Sequence, residues 1–386
     1  MRALIVDSGA GRASLAAARA LDRGGWHVGV AGPSRLGLPM LSRSVHARHI
    51  VPPRDAGEKA FLDGVRRAVD AGGYEVVFGC GDGEILSLSR ARDTIAARVP
   101  HAPHEVLVRV HDKVELARVA ESSGIAAPPS AGTEREARDR WGEGPAVVKE
   151  RLHLPPVDGG RSHLATLAFP DVDAAGRRMR ELRAAGAEPV VQPLLEGQLM
   201  AFSSVIDANG NMLARIQQVA ERTYPRGAGL SARARTVEID ESLAAQVGAL
   251  LNELGWFGLC ELQFIVPPDG PPVLLDFNGR FYGSLALALA AGTNLPDTWA
   301  RLATERTPHE AGDARPGVRY QWLEGDLRAA REHPGGSGRE ALGCLRYRRG
   351  GTAGIWSPTD PLPGLLTAGT LLGLAARMSS KWRKLE

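Results

Sequence analysis

ELQFIVPPDGPPVLLDFNGRFYG, residues 261–283, is the stretch whose reading decides the fold. Two alternating runs flank Asp269-Gly270, the dipeptide that most strongly signals a β-hairpin. With that dipeptide as a two-residue loop, facing residues carry numbers summing to 539, so Gln263 opposes Asp276 and Glu261 opposes Asn278. Alternation then puts Glu261, Gln263, Asp276, Asn278 and Arg280 on one face. Such a face is either the solvated side of an edge hairpin or a site for a hard cation and phosphates. Magnesium takes oxygen ligands and often needs only one or two carboxylates beside a nucleotide's phosphates. Pro267, Pro268, Pro271 and Pro272 crowd the turn and fit a tight ladder poorly.

The rest of the chain limits what this hairpin can serve. A length of 386 residues calls for two or three domains. A net charge of +3, with no basic run carrying interleaved aromatics, argues against nucleic acid as a partner. Cys80, Cys260 and Cys344 are scattered and odd in number, which fits a reducing cytoplasm and no structural zinc. The start, MRALIVDSGAG, reads as a first strand rather than a signal peptide, and no apolar run is long enough to span a bilayer. Of 47 lysines and arginines only five are lysine, and between residues 60 and 380 only Lys113 and Lys149 remain. Lysine offers a compact point charge to phosphate where arginine offers a planar fork, so these two positions stand out.

Residues 2–79 alternate strand and helix: strands at 2–7, 27–31, 48–51 and 75–79 with helices between them predict a small parallel α/β sheet. Gly9-x-Gly11 begins a dinucleotide fingerprint, but Ser14 holds the third glycine position and AGPSR supplies no acid for a ribose. Asp82 and Glu84 follow a strand's C-terminal end, where open sheets bind ligands; Asp82 either touches substrate or caps a helix over Glu84–Ala97. Asp112 reads as the N-cap of a helix opened by Lys113, and PAVVK, 145–149, as a strand ending on Lys149. Gly159-Gly160-Arg161-Ser162 is either a phosphate-covering loop or an ordinary turn. A helix at 171–185, a strand at 189–195 and an Asn209-Gly210 hairpin between strands 199–207 and 212–220 follow. Arg222, Arg226, Arg233 and Arg235 surround Gly227 and Gly229 in what reads as a mobile basic loop. A helix at 241–254 leads into the hairpin. Near the end, LLTAGTLLGLAARM and SSKWRK form an apolar helix with a basic tail, packed on the protein's own body or docked on a membrane surface or partner through 361–386.

The order of these parts resembles the ATP-grasp superfamily over roughly residues 1–305: a helix-opening lysine, a strand-end lysine 36 residues on, a glycine loop, VQPLLEG, and a hairpin ending in Asp-x-Asn-x-Arg. The resemblance implies a multi-domain α/β and α+β chain. Its parts are an N-terminal parallel α/β domain (1–105), small (106–190) and large (191–310) subdomains with antiparallel sheets, and a C-terminal extension (311–386). It further implies that Lys113 and Lys149 hold the phosphates of ATP, with Gly159 and Gly160 over them, and that the hinge Gln192–Leu195, with Leu194, reads adenine while Gln198 lies near the ribose. Gln263, Asp276 and Asn278 match the ligands of Mg2+ (or Mn2+), in a Gln-acid-Asn set similar to that of carbamoyl-phosphate synthetase. Arg280 matches the arginine on the transferred phosphoryl group, and Arg222 joins Lys149 and Arg280 as a catalytic candidate from the basic loop. The family usually has Glu-x-Asn-Pro-Arg where this chain has Asp276-Phe277-Asn278-Gly279-Arg280, an acid at the hinge position of Pro193, and proline at that of Glu150. The implied activity is ADP-forming ligation of a small carboxylate to an amine through an acyl phosphate. A nucleotide-binding regulatory or assembly protein is the second reading. An NADP-linked dehydrogenase, supported by Arg35 alone, is the third.

Overall fold

The computed structural model describes residues 1–7, 9, 11–152, 167–225, 229–332, 338–347 and 351–369. The loop carrying Gly159 and Gly160, Arg226 and Gly227, and the basic tail beyond 369 lie outside the described residues.

The N-terminal alternation folds as expected into a four-stranded parallel sheet, ordered Ala47–Ile50, His27–Gly32, Arg2–Val6, Val76–Gly79. The Arg2–Val6 and Val76–Gly79 strands are apolar almost throughout because helices such as Arg12–Arg23 and Glu58–Gly72 cover both faces. A separate three-stranded antiparallel sheet is ordered Leu167–Phe169, Ala146–Glu150, Pro189–Pro193. The large sheet runs Val273–Asn278, Gly258–Val266, Gln198–Ile206, Met212–Tyr224, Leu230–Val237, Arg319–Gln321, Gly351–Ala353, with Gly312–Asp313 pairing to Met212–Tyr224.

The hairpin register holds where it matters. Glu261 faces Asn278, Leu262 faces Phe277 and Gln263 faces Asp276; nearer the turn a bulge shifts the pairing to Phe264 with Leu274. The two-residue loop is therefore a correction: the chain between the strands is 267–272, because its four prolines lack the N–H groups a tight ladder needs. The bulge absorbs the slip and lets Leu274 enter the core without turning Asp276 away from its face.

The large sheet has two differently covered faces. Leu262, Phe264, Leu274 and Phe277 pack with the helix Glu241–Leu254 in one core. The opposite face shares a core with the N-terminal domain, in which Phe78 lies 4.7 Å from the Trp299 ring and 5.3 Å from that of Phe281. The expected mobile basic loop is also corrected. Residues 212–224 and 230–237 are long paired strands, with Arg222 opposite Arg233. The extension beyond 310 adds three short strands to this sheet, and Asp360 returns to the N-terminal helix and its neighbouring turn, accepting from Arg19 Nε at 2.9 Å and Ser42 Oγ at 2.6 Å.

Candidate active site

The two retained lysines meet because their elements are tied by backbone. Asp112 caps the helix Lys113–Ser122 by accepting from Val114 and Glu115 N–H. Lys113 N–H donates to Arg151 C=O at 2.9 Å, and Arg151 pairs with Asp112 at 3.0 Å. This link sets the helix start beside the end of Ala146–Glu150, the strand carrying Lys149. In the small sheet Lys149 opposes Val190 and Val147 opposes Gln192, so all four share one face. Ala146, Val148 and Val191 take the other face and pack against the helices Glu134–Trp141 and Val172–Ala184. Lys149 therefore points away from its own core.

Across from it stands the hairpin. Buried Lys113 forms an ion pair with Asp276 Oδ1, which also accepts the Phe277 N–H at 2.8 Å. Burial pushes the Asp276 carboxyl up, but Lys113, Lys149 and the Phe277 N–H outweigh it and hold Asp276 below the usual carboxylate range. Lys149 has no ion-pair partner among the described residues; burial and the charge of Lys113 pull it down to about 8, against a smaller opposing pull from Asp276. Two ammonium groups and one carboxylate leave net positive charge between the sheets, which suits polyphosphate.

The other half of the face is an amide-carboxylate cluster. Glu261 is buried, and its Oε2 accepts from Asn278 Nδ2 at 2.9 Å and Gln263 Nε2 at 3.1 Å. Burial pushes Glu261 up to about 7 despite those bonds and the Arg280 charge. Because both amides give N–H to Glu261, their carbonyl oxygens remain as acceptors beside Asp276. That donor set is all oxygen and low in charge, which fits magnesium held jointly with a nucleotide. Among the described residues no group of three or more His, Cys, Asp or Glu side chains forms a metal cluster. Glu261 was legible on this face, yet its central bonding place in the set was not.

Arg280 is fixed by the N-terminal domain. Its Nε and Nη2 donate to Asp82 Oδ1 at 2.6 Å and Oδ2 at 3.0 Å, and His111 Nε2 lies 3.5 Å from the same carboxylate. Burial works against an ionised Asp82, but Arg280 and His111 hold it well below the usual range. Asp82 lies in the first turn of a helix, Asp82–Arg90, whose N-cap is Gly81, so the capping alternative and the longer helix over Glu84–Ala97 are both corrected. Gly279 departs from the family's proline for a steric reason: a Cβ there would come 2.1 Å from the Trp256 ring.

The remaining candidates divide. Gln192 is buried with Nε2 donating to Ser130 Oγ at 2.9 Å, and its Oε1 has no partner among the described residues. Leu194 N–H donates to Pro145 C=O at 2.9 Å, which takes it out of the N–H groups able to read a base. Leu195 follows the strand, and Gln198 opens the next one, donating to Ala220 C=O at 3.3 Å. Arg222 is not brought to Asp276. It pairs with Asp326 at 3.0 Å and Glu340 at 2.9 Å, and Asp326 also takes Arg233 at 2.7 Å.

Three sheets in this order, with two lysines facing an acid-and-amide hairpin, define an ATP-grasp fold. Residues 188–326 match the family described as ATP-grasp in the biosynthetic pathway with Ter operon, in line with the ATP-grasp resemblance of the sequence. Among solved structures, the N5-carboxyaminoimidazole synthetase of Staphylococcus aureus, complexed with ADP, is similar at 14% identity and a TM-score of 0.62, over 82% of this chain and 80% of that one. The L-amino acid ligase of Bacillus licheniformis is similar at 15% identity and 0.61, over 82% and 78%. The biotin carboxylase of Campylobacter jejuni is similar at 11% and 0.64, over 82% and 74%. No curated protein matches the chain by sequence. Among the described residues no helix is long and apolar enough to cross a membrane.

Proposed function

We propose that the chain is an ADP-forming ligase that activates a small carboxylate with ATP and joins it to an amine. The observation that carries this reading is Lys149, an ammonium without an ion-pair partner among the described residues, set against Lys113, Asp276 and Arg280 across one cleft. Lys113 and Lys149 hold the nucleotide's phosphates, and Gln192 Oε1 is the unpaired acceptor for the base. Gln263, Asp276 and Asn278 hold the divalent ion, with Glu261 orienting both amides. Magnesium, when bound, offsets the charge of the phosphates during transfer.

The carboxylate oxygen attacks the γ-phosphorus, the bond to the ADP oxygen breaks, and an acyl phosphate forms. Arg280, aimed by Asp82, and Lys149 stabilise charge on the moving phosphoryl group. The amine nitrogen then attacks the acyl carbon, phosphate leaves, and the amine's extra proton is lost. Residues 1–105 would supply the substrate side through Asp82, 106–190 and 191–310 the nucleotide clamp. ADP release measured over pairs of carboxylates and amines with magnesium tests the reading. Release that depends on a carboxylate supports it; MgATP binding with no such release would favour the non-catalytic alternative.

A further inference from the structure

Several interior arginines of this protein are matched to carboxylates, and half-buried Arg92 is answered instead by the carbonyls of Ser89, His101 and Ala102. Arg19 pairs with Asp360, Arg222 and Arg233 with Asp326, Arg280 with Asp82, and Arg301 with Asp297. Arg12 is different. It is half-buried at the first position of the helix Arg12–Arg23, and among the described residues no carboxylate lies within 4.0 Å of it. Its guanidinium carbon sits 3.7 Å above the centre of the Trp322 ring, and Nη1 donates to Tyr320 Oη at 3.2 Å. Aromatic stacking and a phenol hold the group in place without neutralising it. The indole N–H of Trp322 is also buried, with no acceptor among the described residues. Gly11 precedes the helix without a side-chain cap, and its first turn holds no acid, so the local field adds to the guanidinium charge.

This cation is coupled to the candidate active site. Tyr320 Oη donates onward to Gly283 C=O at 2.9 Å, and a Cβ on Gly283 would lie 3.2 Å from Arg12 Nη2. Gly283 stands three residues after Arg280, so their Cα atoms are separated by at most about 11 Å of chain. Next along the chain, Ser284 Oγ accepts from Gln218 Nε2 at 2.7 Å, and Gln218 lies in the cross-strand row that runs through Ala201 and Gln263 to Asp276.

We propose that Arg12 anchors a second anionic group, carboxylate or phosphate, on the substrate whose first carboxylate is activated at Asp276 and Arg280. This rests on the ligase reading, and it makes the substrate a dianion of small-molecule length rather than a simple monocarboxylate. Arg12 is a binding and specificity residue; it takes no part in phosphoryl transfer.

The test is calorimetric titration of the full chain, saturated with MgADP so that the phosphate-binding lysines are filled. The probes are glutarate, glycerol phosphate and, as the monoanion control, butyrate. One of the two dianions should bind at a single site and butyrate at least tenfold more weakly; the tighter of the two identifies the second group as carboxylate or phosphate. Arg12→Met should lose at least tenfold for the dianion and leave MgADP affinity unchanged, while Arg12→Lys should retain an intermediate affinity. Butyrate binding as well as the dianions, dianions failing to bind, or Arg12→Met binding like wild type would overturn the proposal. If MgADP itself does not bind, the ligase reading fails on its own, and the anion titrations run without nucleotide must still show the Arg12 dependence.

Discussion

The large sheet gathers charge at two places, and they are built differently. Around Asp326, which is fully buried, Arg222 and Arg233 are both paired, Gln321 Nε2 adds a bond at 2.5 Å, and Glu340 takes the second arm of Arg222. Around Asp276, Lys113 is paired, Lys149 has no ion-pair partner among the described residues, and two amides turn their N–H groups to Glu261. The first arrangement closes on itself and fastens the helix Leu323–Arg331 to the strands. The second leaves positive charge and carbonyl oxygens facing a cleft, as a site for polyphosphate and a cation requires. Arginine number alone pointed to the wrong place, because the charges around Asp326 answer one another while those around Asp276 leave a net positive charge.

The largest effect should come from the open end. Asp276→Asn is expected to lower ADP release roughly a thousandfold while the chain still melts cooperatively, because it removes the ionised ligand and the counter-ion of Lys113. Gln263→Glu should lose far less, since it adds a carboxylate of nearly the same shape. At the closed end, Asp326→Asn should destabilise the fold by about 3–5 kcal/mol, as two buried guanidinium groups lose their counter-charge. Chemical denaturation should show that loss, with MgATP affinity unchanged in the molecules that remain folded.

Lys149→Met sharpens the contrast, because it should stabilise the nucleotide-free fold while abolishing nucleotide binding. Below pH 8 Lys149 is charged both folded and unfolded, so the cost of burying it beside Lys113 is fully present. As pH rises from about 8 towards 10.5 the folded chain loses the proton first and that cost fades. The gain on substitution, on the order of 1–3 kcal/mol at pH 7, should shrink over that window in thermal melts. The smallest effect is expected from Phe277→Leu, about 1 kcal/mol in stability with little change in turnover, because Phe277 packs on Trp256 in the core behind the site.

Much of this was legible in the chain. Alternation along the two strands puts Asp276 and Gln263 on one face, their pairing survives the misread turn because a bulge offsets the longer loop, and the scarcity of lysine marks 113 and 149. The N-terminal alternation of strands and helices gives the parallel sheet for the same local reason. The turn itself was misread because Asp-Gly is a strong signal only when its neighbours can donate to a ladder, and here they are prolines. Contacts between distant segments left no local trace: Asp82 with Arg280, Trp256 against Gly279, and Arg12 with Tyr320. Arg222 looked like a loop residue because GAG interrupts its neighbourhood, and nothing near it announced Asp326 a hundred residues later.

The most direct test of the account is MgATP titration by calorimetry of two variants side by side, Lys149→Met and Arg222→Met. Lys149→Met should lose measurable binding, while Arg222→Met, though less stable, should bind MgATP like wild type. Retained affinity in Lys149→Met, with binding lost in a folded Arg222→Met, would contradict the assignment of the open cleft as the nucleotide site.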